Sequence, residues 1–194
     1  VLFRSAYGTL FDVFSVTALC EELFPGRGQA LAQVWRAKQL QYSLLRSLMA
    51  RYVDFWAVTG DALAYGCASL GVALTAEHRA RLMDAYLRLT PFPDVAPTLE
   101  SLRARGMRLA ILSNGSPHML DRAVTHAGLG HLFDAVISVD PLGVYKPSPV
   151  VYAQAGARLA LPTDAIGFVS SNGWDVAGAA SAGLQDRKST RLNS

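Results

Sequence analysis

Hydrophobic positions change rhythm twice along this chain. Leu2 and Phe3 precede Gly8, as a short strand entering a turn would. Between residues 15 and 90 the chain reads as helices only. Leu31, Val34, Trp35, Leu44, Leu45, Leu48 and Met49 recur mainly at three- and four-residue steps, which predicts one long amphipathic helix from about Gly28 to Tyr52. Phe55 to Leu70 predicts a second, closed by Gly71. Thr75 opens a third as its cap, although His78 stands where a capping box would carry Glu. Pro91 and Pro93 end the helical block.

From Asp94 helix and strand alternate. Helices are expected over Val95–Arg105, Pro117–His126, Ser148–Leu161 and Asp175–Ala182. Between them, strands are expected over Met107–Leu112, Phe133–Ser138 and Ile166–Ser170. Alternation of this kind builds an α/β fold around a doubly wound parallel sheet. The helical block falls between the first and second strands, so it reads as an inserted cap. The expected division is an α/β core from residues 1–13 and 93–185, a helical cap from 14–92, and a tail from 186–194. Ligands of such sheets bind beyond the carboxyl ends of the strands.

Both ends of the chain depart from this pattern. Arg4 falls in a strand expected to be central, where apolar residues dominate. After Leu184 a further apolar strand is expected, and Asp186–Ser194 supplies one apolar residue. That tail resembles a translated sequencing-adapter junction, with Val1–Ser5 as the matching fragment, so both ends are expected to be non-native, a natural polar tail and a natural sequence variant being the alternative.

Composition narrows the function class. At 51% hydrophobic and 17% charged residues, the 194-residue chain is expected to fold rather than stay disordered. Its net charge of +3 is scattered, with no basic run interleaved with aromatics, so nucleic-acid binding is not indicated. No apolar run approaches the ~20 residues that span a bilayer, and no leader-like segment begins the chain. Cys20 and Cys67 follow no metal spacing, which fits packed thiols in a reducing cytoplasm.

Chemistry gathers in segments that lie at predicted strand ends or loops: Ser5–Asp12, Leu112–Pro117, Val144–Pro149 and Phe168–Asp175. Their order and spacing resemble the four motifs of the haloacid dehalogenase superfamily. Val34-Trp35-Arg36-Ala37-Lys38-Gln39-Leu40 is similar to the cap of its (S)-2-haloacid dehalogenase branch. The resemblance implies a Rossmann-like core under a helical cap. It also implies hydrolysis of (S)-2-haloalkanoic acids to (R)-2-hydroxyacids, without cofactor or metal.

In that family an aspartate at the position of Ser5 attacks carbon 2, halide leaves, and water hydrolyses the resulting ester. Thr9 is then placed to bond the nucleophile's oxygens, though a turn hydroxyl bonding local backbone is the alternative. By the resemblance, Ser113 is expected to hold the substrate carboxylate and Asn114 to help hold the departing halide, near free N–H groups at a helix start, while Ser116 is a candidate cap. Lys146 is expected to keep the attacking carboxylate ionised, with a solvated loop lysine as the plainer reading. Tyr152 supports the site, or simply packs. Ser170, Asn172 and Asp175 position the water and orient Lys146. Arg36, Tyr7 and Trp174 complete the substrate and halide site, with a surface charge and a core aromatic as the plainer readings of Arg36 and Trp174. The family tends to pair through the cap, so a homodimer is open, with packing inside the cap as the alternative.

Serine at position 5 cannot form the carboxylate ester, so this chain is expected to be close to inactive. Two other readings stay open. A magnesium-dependent phosphatase of the same superfamily would need a second aspartate where Tyr7 stands, and acidic residues where Ser170, Ser171 and Asn172 stand. A catalytically dead protein that binds 2-haloacids or 2-hydroxyacids would keep the remaining site residues.

Overall fold

The computed structural model of the chain describes residues 1–188. Five strands form one parallel sheet: Leu2–Arg4 (β1), Leu109–Ser113 (β2), Ala135–Ser138 (β3), Gly167–Ser170 (β4) and Gln185–Lys188 (β5), in the order β3-β2-β1-β4-β5. β1 is central: Phe3 pairs with Ala110 on one side and Phe168 on the other. A parallel sheet is covered on both faces, so its inner strands must be apolar throughout. Every residue of β2 is accordingly buried.

Eight α-helices accompany the sheet among the described residues. Thr17–Leu23 (α1), Gly28–Leu48 (α2), Phe55–Ser69 (α3) and Ala76–Tyr86 (α4) lie between β1 and the core helix Val95–Ala104 (α5). Pro117–His126 (α6), Pro149–Leu159 (α7) and Gly173–Ser181 (α8) follow β2, β3 and β4. The doubly wound α/β class expected from the alternating rhythm is the observed one.

The chain enters and leaves the helical block through one narrow neck. Phe11 and Pro91 form an antiparallel bridge, Asp12 N–H donates to the Thr90 carbonyl (2.8 Å), and Phe92 N–H donates to the Leu10 carbonyl (3.0 Å). Three helix starts are capped by a side chain of the residue before them. Asp54 accepts from Ala57 N–H, and Thr75 accepts from His78 N–H as its position predicted. Ser116 accepts from Met119 N–H, one residue before Pro117.

The structure departs from the expected pattern at two places. α2 stops at Leu48, and Ala50 adopts a left-handed backbone (φ 53°) before Tyr52 is reached. Its buried stripe is Leu31, Trp35, Gln39 and Ser43, at four-residue steps, while Leu44, Leu45, Leu48 and Met49 are exposed, Leu48 by 75%. The apolar residues that suggested a longer helix mark an outward face instead.

The second departure corrects the expectation of a missing last strand. Gln185–Lys188 pairs with all of β4, from Gly167↔Gln185 to Ser170↔Lys188. An edge strand is held by its backbone ladder to one neighbour, so it does not require the apolar side chains of an inner strand. The boundary drawn at residue 186 therefore cuts a strand, and residues 189–194 of the expected tail lie outside the described residues. Arg4 does sit in the central strand, with 7% of its surface exposed.

Candidate active site

Ser5 directly follows β1, and its N–H extends the ladder by donating to the Val169 carbonyl at 3.0 Å. The chain then turns sharply, with Gly8 at φ 83° and Leu10 N–H donating to the Ala6 carbonyl at 2.8 Å. This turn is stapled to the one after β4. Ser171 N–H donates to Thr9 Oγ1 (3.0 Å), and Ser171 Oγ donates to the Gly8 carbonyl (2.5 Å). With the Ser171 proton so committed, Thr9 is the donor in the 3.1 Å Thr9 Oγ1–Ser171 Oγ bond. Thr9 thus joins two strand-end turns beneath the cleft, and Ser5 and Asn172 are brought to the same opening.

β2 contributes its last residue and the next. Ser113 Oγ accepts from Gly115 N–H at 3.1 Å. Gly115 is needed for close approach: a Cβ there would meet the Tyr7 ring at 2.7 Å. Asn114 Oδ1 accepts the backbone N–H of Lys146 at 2.9 Å, so the amide NH₂ is the end that faces elsewhere. The loop after β3 is pinned to β2 by this bond.

Lys146 is 3% exposed. Its ammonium lies 3.1 Å from Asp175 Oδ2 and 4.6 Å from the Phe168 ring centre. Burial pulls the Lys146 pKa down, and Asp175 opposes that shift without cancelling it. Asp175 Oδ1 accepts from the Tyr152 hydroxyl at 2.7 Å, so both carboxylate oxygens are engaged. Burial first, and then Asp175, push the Tyr152 hydroxyl well above its usual value. Ser170 Oγ accepts from Asn172 N–H at 3.2 Å.

The cleft itself is narrow and is lined by Ser5, Tyr7, Arg36, Leu40, Phe55, Ser113, Asn114, Lys146, Asn172 and Trp174. Thr9, Ser170, Tyr152 and Asp175 stand behind this wall and hold its members. Leu40 and Phe55 line the cleft although sequence reasoning did not select them. Leu40 lay one turn beyond Arg36 and could have been found by helix spacing. Phe55 carries no signal beyond being the first residue of a helix. The Tyr7 hydroxyl is buried without a hydrogen-bond partner among the described residues, and burial raises its pKa strongly.

A divalent metal does not suit this donor set. Hard cations want several carboxylate oxygens. Ser170, Ser171 and Asn172 supply none, and Asp175 is already shared between Lys146 and Tyr152. Among the described residues, no group of three or more His, Cys, Asp or Glu is arranged to hold a metal ion.

Comparison with known proteins follows the same lines. Residues 6–183 match the model of the haloacid dehalogenase-like hydrolase family. An (S)-2-haloacid dehalogenase of Pseudomonas sp. (strain YL) is 56% identical over 173 residues, covering 89% of this chain and 75% of the relative. One from Xanthobacter autotrophicus is 50% identical over 188 residues, covering 97% and 74%. The solved structure of an L-2-haloacid dehalogenase from Xanthobacter autotrophicus, with chloropropionic acid covalently bound, superposes with a TM-score of 0.94 at 49% identity. It covers 99% of this chain and 78% of that one.

Proposed function

Because this chain belongs to the haloacid dehalogenase-like hydrolases, we propose that its cleft is built for hydrolytic dehalogenation of (S)-2-haloalkanoic acids to (R)-2-hydroxyacids. The observation that carries this reading is the convergence of Arg36, Ser113, Asn114 and Lys146 on Ser5 in a small cleft whose one supporting carboxylate, Asp175, is fully engaged. That is a site for a small anion bearing a leaving anion, with no carboxylates left over to hold a metal.

Each residue has a task in that reaction. The Ser113 hydroxyl and Asn114 amide supply donors for the substrate carboxylate and the leaving halide. The Arg36 guanidinium supplies a fixed positive charge for the halide. Lys146, held by Asp175 and Tyr152, keeps an attacking carboxylate at position 5 ionised. Asn172, with Ser170 behind it, sits beside position 5, where water must reach the ester carboxyl carbon. Tyr7, Phe55, Leu40 and Trp174 exclude bulk water and pack against the alkyl group. The helical block from residue 14 to 92 acts as a cap over the α/β core, since Arg36, Leu40 and Phe55 reach the cleft from it.

Serine stands where the ester-forming carboxylate must be. Ser5 has no neighbouring histidine to activate it, so turnover by the unaltered chain is expected to fall on the order of 10⁴-fold below that of an aspartate variant. The same substitution favours a second reading, an anion-binding protein that captures 2-haloacids or 2-hydroxyacids without turning them over. Incubating the Ser5→Asp variant with (S)-2-chloropropanoate under a chloride electrode tests the first reading. Chloride release with (R)-lactate as product is expected. A folded variant that releases no chloride but hydrolyses phosphate esters would overturn it.

The exposed apolar patch of Leu44, Leu45, Leu48 and Met49 is where a homodimer contact through the cap belongs. Replacing Leu48 by Glu would give a monomer in light scattering. Cys20 and Cys67 are buried free thiols, which fits a reducing cytoplasm. No helix of the described residues is long and apolar enough to cross a membrane.

A further inference from the structure

Two adjacent backbone N–H groups in the loop between β3 and α7 are bonded to different parts of the molecule. The Lys146 N–H donates to Asn114 Oδ1, just beyond β2. The Tyr145 N–H donates instead to Ser47 Oγ at 3.0 Å, in the last turn of α2. The Tyr145 hydroxyl donates to the Val53 carbonyl at 2.5 Å. Its ring lies 4.8 Å from that of Tyr52 and 6.0 Å from that of Phe55, and Tyr145 is fully buried. A further bond closes the same junction, from the Tyr52 hydroxyl to Asp140 Oδ1. Ser47, Tyr52 and Val53 belong to the end of α2 and its connection to α3, while Asp140 and Tyr145 lie between β3 and α7. No step of the reaction uses any of these five residues.

The helical block therefore has a second attachment besides its neck at Phe11 and Pro91. A block held by a neck alone is free to pivot about it, as hinged domains do. The clasp at Tyr145 opposes that pivot, and cleft residues flank it on both sides. Phe55 follows Val53 by two residues and Lys146 follows Tyr145 by one, and both line the cleft. Any shift of the α2–α3 connection against the β3–α7 loop would move Phe55 and Lys146 relative to each other. The polarity of both Tyr145 bonds is fixed, since a backbone N–H only donates and a carbonyl only accepts. The same residue is thus tied to the helical block by its backbone, its hydroxyl and its ring.

We propose that Tyr145 is a positioning residue: it clasps the α2–α3 connection to the loop that carries Lys146, and so fixes Lys146 and Phe55 against each other across the cleft. This rests on the reading of the cleft as a 2-haloacid site. Tyr145→Phe keeps the ring and removes only the bond to Val53. Two measurements test it. The first is chloride release from (S)-2-chloropropanoate by the Ser5→Asp protein, with and without Tyr145→Phe, across the acid pH range. A tenfold fall in kcat is expected, on the order of what a misplacement somewhat under ~1 Å causes. The acid limb of kcat/KM is expected to move to higher pH, because a displaced Lys146 cation lowers the pKa of the attacking carboxylate less. The second is amide hydrogen exchange in the unaltered chain and in Tyr145→Phe. Residues 50–56 and 143–148 are expected to exchange faster together, while the neck at residues 8–14 and 88–93 keeps its protection.

A lowered melting temperature with kcat and the acid limb unchanged would overturn the proposal, because a tyrosine that only packs would cost stability and leave the chemistry alone. Faster exchange over residues 50–56 with full protection kept over 143–148 would overturn it as well, since the two segments would then not be coupled. Failure of the functional reading leaves a different trace: no chloride release by Ser5→Asp, but the two segments loosening together in Tyr145→Phe. Should Tyr145→Phe fail to fold, Tyr52→Phe removes the bond to Asp140 at the half-buried edge of the same clasp. It is expected to move kcat, the acid limb and both exchange rates in the same directions by smaller amounts.

Discussion

The Lys146 ammonium and the Asp175 carboxylate form a buried ion pair, 3.1 Å apart, with their side chains 1% and 0% exposed. Such a pair adds little net stability, yet removing one partner strands a buried charge at a cost of about 3–5 kcal/mol. Asp175→Asn and Lys146→Met should each lower the denaturant midpoint markedly. The double variant should be more stable than the sum of the two losses allows. Equal, additive losses would mean that the pair is not a unit.

Metal independence follows from the same carboxylate being fully engaged. Chloride release by the Ser5→Asp variant should be unchanged in excess chelator. Activity that disappears with chelator and returns with magnesium would contradict the argument drawn from Ser170, Ser171, Asn172 and Asp175.

The pH dependence of anion binding should report Lys146. Burial disfavours its charged form, so the proton is lost below the ordinary lysine value of about 10.4. The cation disappears as pH rises through the lowered midpoint. Binding of (S)-2-chloropropanoate to the unaltered chain should therefore weaken on the alkaline side, at a lower pH than an ordinary lysine would give. Lys146→Met should abolish that limb. Tyr7, Tyr86 and Tyr152 do not compete for it, since burial raises all three.

Gly178 of α8 leaves no room for a side chain. An added Cβ would lie 2.7 Å from the Tyr152 hydroxyl and 2.8 Å from Pro147 Cβ. Gly178→Ala should push Tyr152 off Asp175 and loosen Lys146, costing about 1–3 kcal/mol in stability. Chloride release by a Ser5→Asp, Gly178→Ala protein should fall with it. Unchanged activity would show that Tyr152 is a packing residue only.

Arg4 carries a charge into the central strand at 7% exposure. Even a well-partnered buried charge is often no better than an apolar side chain of similar volume. Arg4→Phe is expected to raise the melting temperature by several degrees, about 2–4 °C for each kcal/mol gained in a chain of this size. A lowered melting temperature would mean that Arg4 has become part of the core.

Local rules sufficed for much of this molecule. The step from helical to alternating periodicity sets the α/β class, because burial on one face of a helix and on both faces of a parallel strand leaves different traces along the chain. Turn and cap chemistry at Gly8, Thr75 and Ser116 is equally local, since each of those residues acts within a few positions of itself. The order of the four motifs brought Ser5, Asn114, Lys146 and Asn172 together on paper, because parallel strands all present their carboxyl ends at one edge. Other features depended on partners distant in the chain. The inward face of α2 is chosen by what α3 and α4 offer it, which is why Leu48 faces outward while Gln39 is buried. β5 forms from polar residues because β4 provides its backbone partners. Thr9 finds its partner in Ser171, and the Tyr86 hydroxyl of α4 finds its acceptor in Gln39 of α2. A hydrogen bond depends on geometry within a few tenths of an ångström, and sequence spacing carries no such distance between segments that meet only in the folded state.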